Sequence, residues 1–258
     1  MDILTHSVSG MAVGTVVAAY SKKSFGKRAL IVFISTFAGA FPDIDVISLW
    51  SGFDGSFGKW FGLSHSGREI YFAKFWYSHH AATHSLFASL VFAGLVALVV
   101  KLRNRSGKLA WIYPIAAFCG YQMHLWGDTP TPDGGWGGIM YWFPSKQYLG
   151  GWGYTHWWNN YDIFLLLVAC ILANWLVPLL RQFIKFPALK WLPVANFILA
   201  VGLCIYQLGA RDLDFNDYSN SESGKSKREQ LLDFQRESLG DTLFEMMRKF
   251  DAAVPVHF

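Results

Sequence analysis

Histidines and aspartates able to hold a divalent cation recur at four places along this chain. They are Thr5-His6, Pro42-Asp43-Ile44-Asp45, His79-His80-Ala81-Ala82-Thr83-His84 and His124-Leu125-Trp126-Gly127-Asp128. Each cluster stands at the end of an apolar segment. Imidazole and carboxylate form the ligand set of catalytic zinc, manganese and iron sites. Both are costly at membrane depth, where an ionisable group marks function by default. Acids and imidazoles gathered at one depth also need a compensating charge, and a cation supplies it.

Spacing narrows how each cluster could act. His124 and Asp128 are four apart and share a helix face, so one ion could join them, although the pair alone also reads as a polar cap. His80 and His84 have the same spacing. His79 and His84 do not share a face, so His79 would fold in from a loop before a helix that Ser78 could cap. Asp43 and Asp45 follow a helix-breaking proline. In an extended segment both would face one cavity; the alternative is a polar turn leaving the membrane. His6 alone reads more readily as a hydrogen-bonded helix histidine than as a ligand.

Other residues carry weaker signals. Thr5 and Thr83 each precede a histidine and could orient it. Thr129, Thr131 and Asp133 follow Asp128, and His65 and His156 lie in loops. Trp136, Trp142, Trp152, Trp157 and Trp158 suit an interfacial aromatic belt. Trp157-Trp158-Asn159-Asn160 with Asp162 reads as a polar rim. The sequence has no Gly-rich phosphate loop, no His-Glu-x-x-His pair and no Gly-x-Ser-x-Gly elbow, which removes the nucleotide, metalloprotease and serine-hydrolase patterns.

The elements that must position these groups are membrane helices. Of 258 residues, 53% are hydrophobic and 16% charged, too apolar for an average soluble domain. Apolar runs predict about six spans, near 3–20, 28–47, 81–100, 109–127, 162–180 and 191–209. The fold class is therefore an all-α polytopic membrane bundle. No basic region precedes the first run, so a cleavable signal peptide is not expected. Cys119, Cys170 and Cys204 fall in apolar segments without paired spacing and read as small core residues. The net charge of +4 follows the loops and forms no nucleic-acid-binding stripe.

Basic residues set the orientation. Lys22, Lys23, Lys27 and Arg28, then Lys101, Arg103, Arg105 and Lys108, then Arg181, Lys185 and Lys190 mark three cytoplasmic connections. Both termini, and all four His/Asp clusters, then lie toward the outer face. Residues 1–210 read as the membrane domain and 211–258 as a polar linker followed by a helix outside the membrane. Ser226 to Glu229 has capping-box spacing. Leu232, Leu239, Leu243, Met246 and Phe250 recur at roughly helical intervals.

The ordered set of motifs, with Thr131-Pro132 and Phe143-Pro144 after the fourth cluster, resembles the bacterial inner-membrane metal-dependent hydrolases described as LexA-regulated or LexA-binding. The likeness spans about residues 1–180. It extends more distantly to helical zinc-dependent phospholipases C and single-strand nucleases. It implies His6, Asp43, Asp45, His79, His84, His124 and Asp128 as metal ligands, one or two zinc or manganese ions, and phosphoester hydrolysis. The family commonly carries arginine after the first histidine of the third motif, whereas this chain has His80. That removes an anion clamp and leaves His80 as ligand, support or proton carrier.

The expected protein is thus a hydrolase of the inner membrane whose ions acidify a water, with Asp43 or Asp45 bridging the ions or taking the proton. A site at headgroup level suits a lipid or lipid-linked substrate. Two rivals stand beside it. A transporter would hold polar groups at the midplane and toward both faces, and a metal-braced scaffold would turn over nothing.

Overall fold

The computed structural model describes residues 2–21, 24–104, 110–131, 137–151, 160–211 and 221–254, with side chains from 229 onward in the last segment. It is an all-α bundle. The elements are α1 (Ile3–Ala19), α2 (Phe25–Ala40) running into a 3-10 segment (Phe41–Leu49), α3 (Gly67–Phe72), α4 (Leu86–Arg103), α5 (Ile112–Asp128), α6 (Tyr161–Phe183), α7 (Leu192–Gly209) and α8 (Ser221–Ala253).

Among the described residues, four helical stretches are long and apolar enough to cross a bilayer: Phe25–Leu49, Leu86–Arg103, Tyr161–Phe183 and Pro187–Gly209. Their outward faces are bare hydrocarbon, such as Leu90, Leu95 and Leu102 on α4 and Ile198, Leu199 and Ile205 on α7. Exposed apolar area on this scale needs lipid to cover it. The expectation of about six spans is therefore met in part. The helices α1 and α5 have 17 residues each, a rise of about 25 Å, which is short of the hydrocarbon thickness.

Those two shorter helices carry His6, His124 and Asp128 and occupy the middle of the bundle. Helix α1 packs on α2, α5, α6 and α7, and α5 packs on α2 and α4. Small residues allow the close approach. Gly10 and Gly14 on α1 lie against Ser35 and Gly39 on α2, and Gly120 on α5 lies against the Ser35 carbonyl. Ser35 Oγ donates to the Gly10 carbonyl at 2.8 Å. Between membrane helices, which gain nothing from excluding water, such small-residue seams supply the packing. Asp2 caps α1 by accepting from Thr5 N at 2.8 Å.

The tail differs from expectation. Its helix begins at Ser221, ahead of the Ser226 capping-box position, and is interrupted at Gly240, where φ is 72°. The buried face is Leu231 and Gln235 before that left-handed residue and Phe244 and Met247 after it, while Leu243, Met246 and Phe250 are exposed. Leu232 and Leu239 do pack against Tyr161, Phe244 and Met247. Arg211, expected in a solvated linker, is buried against Asp162, at 2.8 Å.

Candidate metal centre

The cluster is built at one end of the bundle. The first turns of α1 bring His6, and the last turn of α5 brings His124 and Asp128. The 3-10 segment after α2 brings Asp43 and Asp45, and the turns before α4 bring His79, His80 and His84. His6, His84 and His124 are 0% exposed, Asp128 is 1% and Asp43 is 7%. The seven expected ligands and His80 thus converge, although they come from four separate parts of the sequence.

The innermost group is Asp43, His84, His124 and Asp128, each offering one ligand atom within 4.8 Å of the others. His84 Nε2 lies 3.1 Å from His124 Nε2. Asp43 Oδ1 is 3.6 Å from the first and 3.5 Å from the second. Asp128 Oδ2 is 3.6 and 3.0 Å from the same two nitrogens. A tetrahedron with metal–ligand bonds of about 2.0–2.1 Å has edges of about 3.3 Å. The donor set therefore has the size of a tetrahedral zinc shell.

Hydrogen bonds on the outer nitrogens aim the inner ones. His124 Nδ1 donates to the Gly39 carbonyl at 2.7 Å. His80 Nδ1 donates to the Gly138 carbonyl at 3.0 Å. Thr83 Oγ1 gives its proton to Asp45 Oδ2 at 2.9 Å and so accepts from His84 Nδ1 at 3.1 Å. A carbonyl or hydroxyl acceptor at Nδ1 fixes the tautomer, leaving the Nε2 lone pair for a cation. Among the described residues neither nitrogen of His6 is assigned a hydrogen-bond partner. Its Nε2 is nonetheless 2.9 Å from Asp128 Oδ1, and its ring stacks on His124 at 3.7 Å. A buried imidazole in that state is costly unless something else uses its lone pair. The donor chemistry fits a divalent ion.

The local geometry of two motifs differs from expectation. Asp43 and Asp45 sit on a 3-10 turn, not on extended backbone. Residues two apart then point in different directions, and the two carboxylates bracket one ring. Asp43 faces His84 Nε2, and Asp45 Oδ2 faces His84 Nδ1 at 3.5 Å. His80 and His84 do not share a helix face either. Helix α4 starts at Leu86 with Ser85 as its cap, and Ser78 instead accepts from Phe75 N. His80 has φ of 63°, a left-handed backbone that is uncommon outside glycine. Its carbonyl accepts from Met140 N at 2.8 Å, which ties this turn to the loop closed by the Ile139–Leu149 pairing.

A second group adjoins the first. Asp43, Asp45 and His79 also bring ligand atoms within 4.8 Å of one another. His79 Nδ1 donates to Asp45 Oδ1 at 2.8 Å. Burial lowers the basicity of His79, but the Asp45 carboxylate outweighs it and the net shift is upward. Burial holds His80 well below the ordinary imidazole range, and neighbouring His79 adds to this.

The remaining sequence candidates separate. Thr5 bonds Asp2, not a ligand. Thr131 donates to the Asp128 carbonyl at 2.8 Å and Thr129 to that of Trp126. His65 stacks on Phe75 and joins no metal-competent group among the described residues. Asn160 and Asp162 form no rim; both bond Arg211. Trp142 is exposed. Asp133, Trp136, Trp152, His156, Trp157, Trp158 and Asn159 lie outside the described residues. The cysteines are free.

Two tyrosines were not singled out by sequence. Tyr121 donates to the Thr83 carbonyl at 2.6 Å. It lies three residues before His124, on the same helix face, and that spacing was a usable signal. Tyr71 on α3 stacks on His79 at 4.4 Å, and no periodicity in its loop announces this.

A bundle of apolar helices enclosing a His/Asp cluster at one end defines a membrane protein with a candidate metal centre. The family model described as YdjM inner membrane protein matches residues 1–211, and the chain belongs to that family. No curated protein and no solved structure matches the chain significantly.

Proposed function

We propose that the protein is a membrane metal-dependent hydrolase acting on a phosphoester or lipid-related substrate. The observation that carries this reading is the near-tetrahedral set of Asp43, His84, His124 and Asp128. Their separations suit zinc or manganese, and their imidazole lone pairs already face inward. Asp43 belongs to both groups, so a second ion would share it with Asp45 and His79. His6 holds Asp128 in place or adds a fifth donor.

A bound divalent ion supplies Lewis-acid charge and a water acidified toward neutrality. The chain supplies the rest. Helix α5 and the Gly39 carbonyl orient His124. Asp45 and Thr83 fix the His84 ring. His80 Nε2, 3.8 Å from Asp128 Oδ2, carries a lone pair able to take a proton. Asp43 and Asp45 are the least buried acids of the cluster, so substrate approaches along their edge. With the basic loops taken as cytoplasmic, the site and both termini face outward, which favours a lipid or lipid-linked substrate.

The test is a phosphodiesterase, phosphatase and esterase screen on purified protein whose metal content is measured in parallel. Turnover abolished by a chelator and by Asp43→Asn is expected. Chelator-insensitive turnover overturns the reading. The complete burial of His84 and His124 favours a second reading, a metal brace without catalysis. Bound metal that raises thermal stability, with no substrate class turned over, selects the brace.

A further inference from the structure

The opposite end of the bundle carries a separate feature. A groove of about 310 Å³ runs between α1, α2 and α6, in the size range of small-molecule sites. Its walls are mostly apolar, including Ala18, Val32, Trp175 and Leu179, and Arg28 stands among them. Helices α2 and α6 both pack on α1, and Phe25 meets Trp175 edge-on at 5.7 Å across the groove. Pro178 has no N–H for the Asn174 carbonyl, which loosens α6 beside the groove.

Arg28 is half-buried; it makes no ion pair among the described residues, and no carboxylate stands among those lining the groove. Arg28 stands in the first turn of α2, at the membrane-surface end of the groove, where an anion is the natural complement of an unpaired guanidinium. The groove beside it is apolar and suits a hydrocarbon chain. One molecule that offers both parts from within a bilayer is an anionic phospholipid. Basic pockets between helices at a membrane surface bind such headgroups.

We propose that this groove is a binding site for one anionic phospholipid, with its phosphate on Arg28 and an acyl chain between α1, α2 and α6. The site is independent of the His/Asp cluster and of the hydrolase reading.

The test uses full-length protein in phosphatidylcholine vesicles doped with a brominated-chain lipid, either phosphatidylglycerol or phosphatidylcholine. Quenching of Trp175 is read as the difference between the protein and its Trp175→Phe variant. Half-quenching should need about fivefold less phosphatidylglycerol than phosphatidylcholine. Arg28→Gln should bring the two together, and Lys27→Gln on the exposed side should leave them apart. Ala29→Leu fills the groove while keeping the guanidinium, so it reduces the preference even if Arg28→Gln fails to fold. Equal quenching by the two lipids overturns the site, since ordinary lipid contact gives that result. Preference undiminished in both Arg28→Gln and Ala29→Leu overturns it as well. Equal loss in Lys27→Gln and Arg28→Gln means diffuse surface attraction and also overturns it.

Discussion

His84 Nε2 and His124 Nε2 stand 3.1 Å apart, and the other nitrogen of each ring is engaged by an oxygen acceptor. In their neutral forms both therefore turn lone pairs toward one another and toward two carboxylates. That arrangement is repulsive alone and favourable around a cation.

Removing either a ring or the central acid should empty the centre. His84→Ala and Asp128→Ala are expected to lower metal affinity by about a hundredfold or more, beyond the loss typical of supporting groups. His65→Ala, outside the cluster, should retain full metal. Elemental analysis of the purified proteins reads the result. Full occupancy in both variants would show that neither residue is a necessary ligand.

Tyr121 tests whether the turn before α4 is held in position for the metal. Tyr121→Phe deletes the hydroxyl that donates to the Thr83 carbonyl at 2.6 Å, at a cost of about 1 kcal/mol. Because Thr83 orients both Asp45 and His84, metal affinity should fall by about tenfold. Thermal unfolding and metal titration separate the two effects. A stability loss with unchanged affinity would assign Tyr121 a packing role alone.

Much of this site was legible in the sequence, because a polar residue in an apolar run stands out. His124 and Asp128 were readable as a pair, since α5 is a regular helix and four residues make one turn. The arrangement of Asp43, Asp45, His80 and His84 was not, because irregular backbone has no period to read. Their placement depends on long-range bonds, from Asp45 to Thr83 and from His80 to Gly138 and Met140. The C-terminal face differs from expectation only after Gly240, whose φ resets the helical phase so that Phe244 and Met247 are buried in place of Leu243 and Met246. The spans were legible, but α1 and α5 owe their place to glycine seams that hydropathy does not register.

Those seams give a contrast between glycines. A Cβ at Gly120 would run into the Ser35 carbonyl, whereas one at Gly26 meets nothing within 4 Å. Gly120→Ala should cost about 1–3 kcal/mol through overpacking and shift His124 on the same helix. Gly26→Ala should be neutral or slightly stabilising, by up to about 1 kcal/mol. Thermal melts of the two variants in one detergent make the comparison. Equal melting temperatures would mean that the α2–α5 contact yields easily.

The last contact to test is the one that docks the tail. Arg211 donates to Asn160 at 2.7 Å and to both oxygens of Asp162 at 2.8 and 2.9 Å, with both charged side chains buried. Its guanidinium lies 5.9 Å from the Phe234 ring of α8. Gln235 and Asp251 of the same helix accept from the backbone and hydroxyl of Tyr161, each at 2.9 Å. Arg211→Met leaves the Asp162 carboxylate buried without its cation, an imbalance worth about 3–5 kcal/mol. The variant should release α8 to protease while retaining metal, since the cluster is built from other elements. The double variant Arg211→Met, Asp162→Leu removes both charges and should regain most of the lost stability. If the double variant is as unstable as the single one, the cost lies in lost packing against Phe234 and not in the stranded charge.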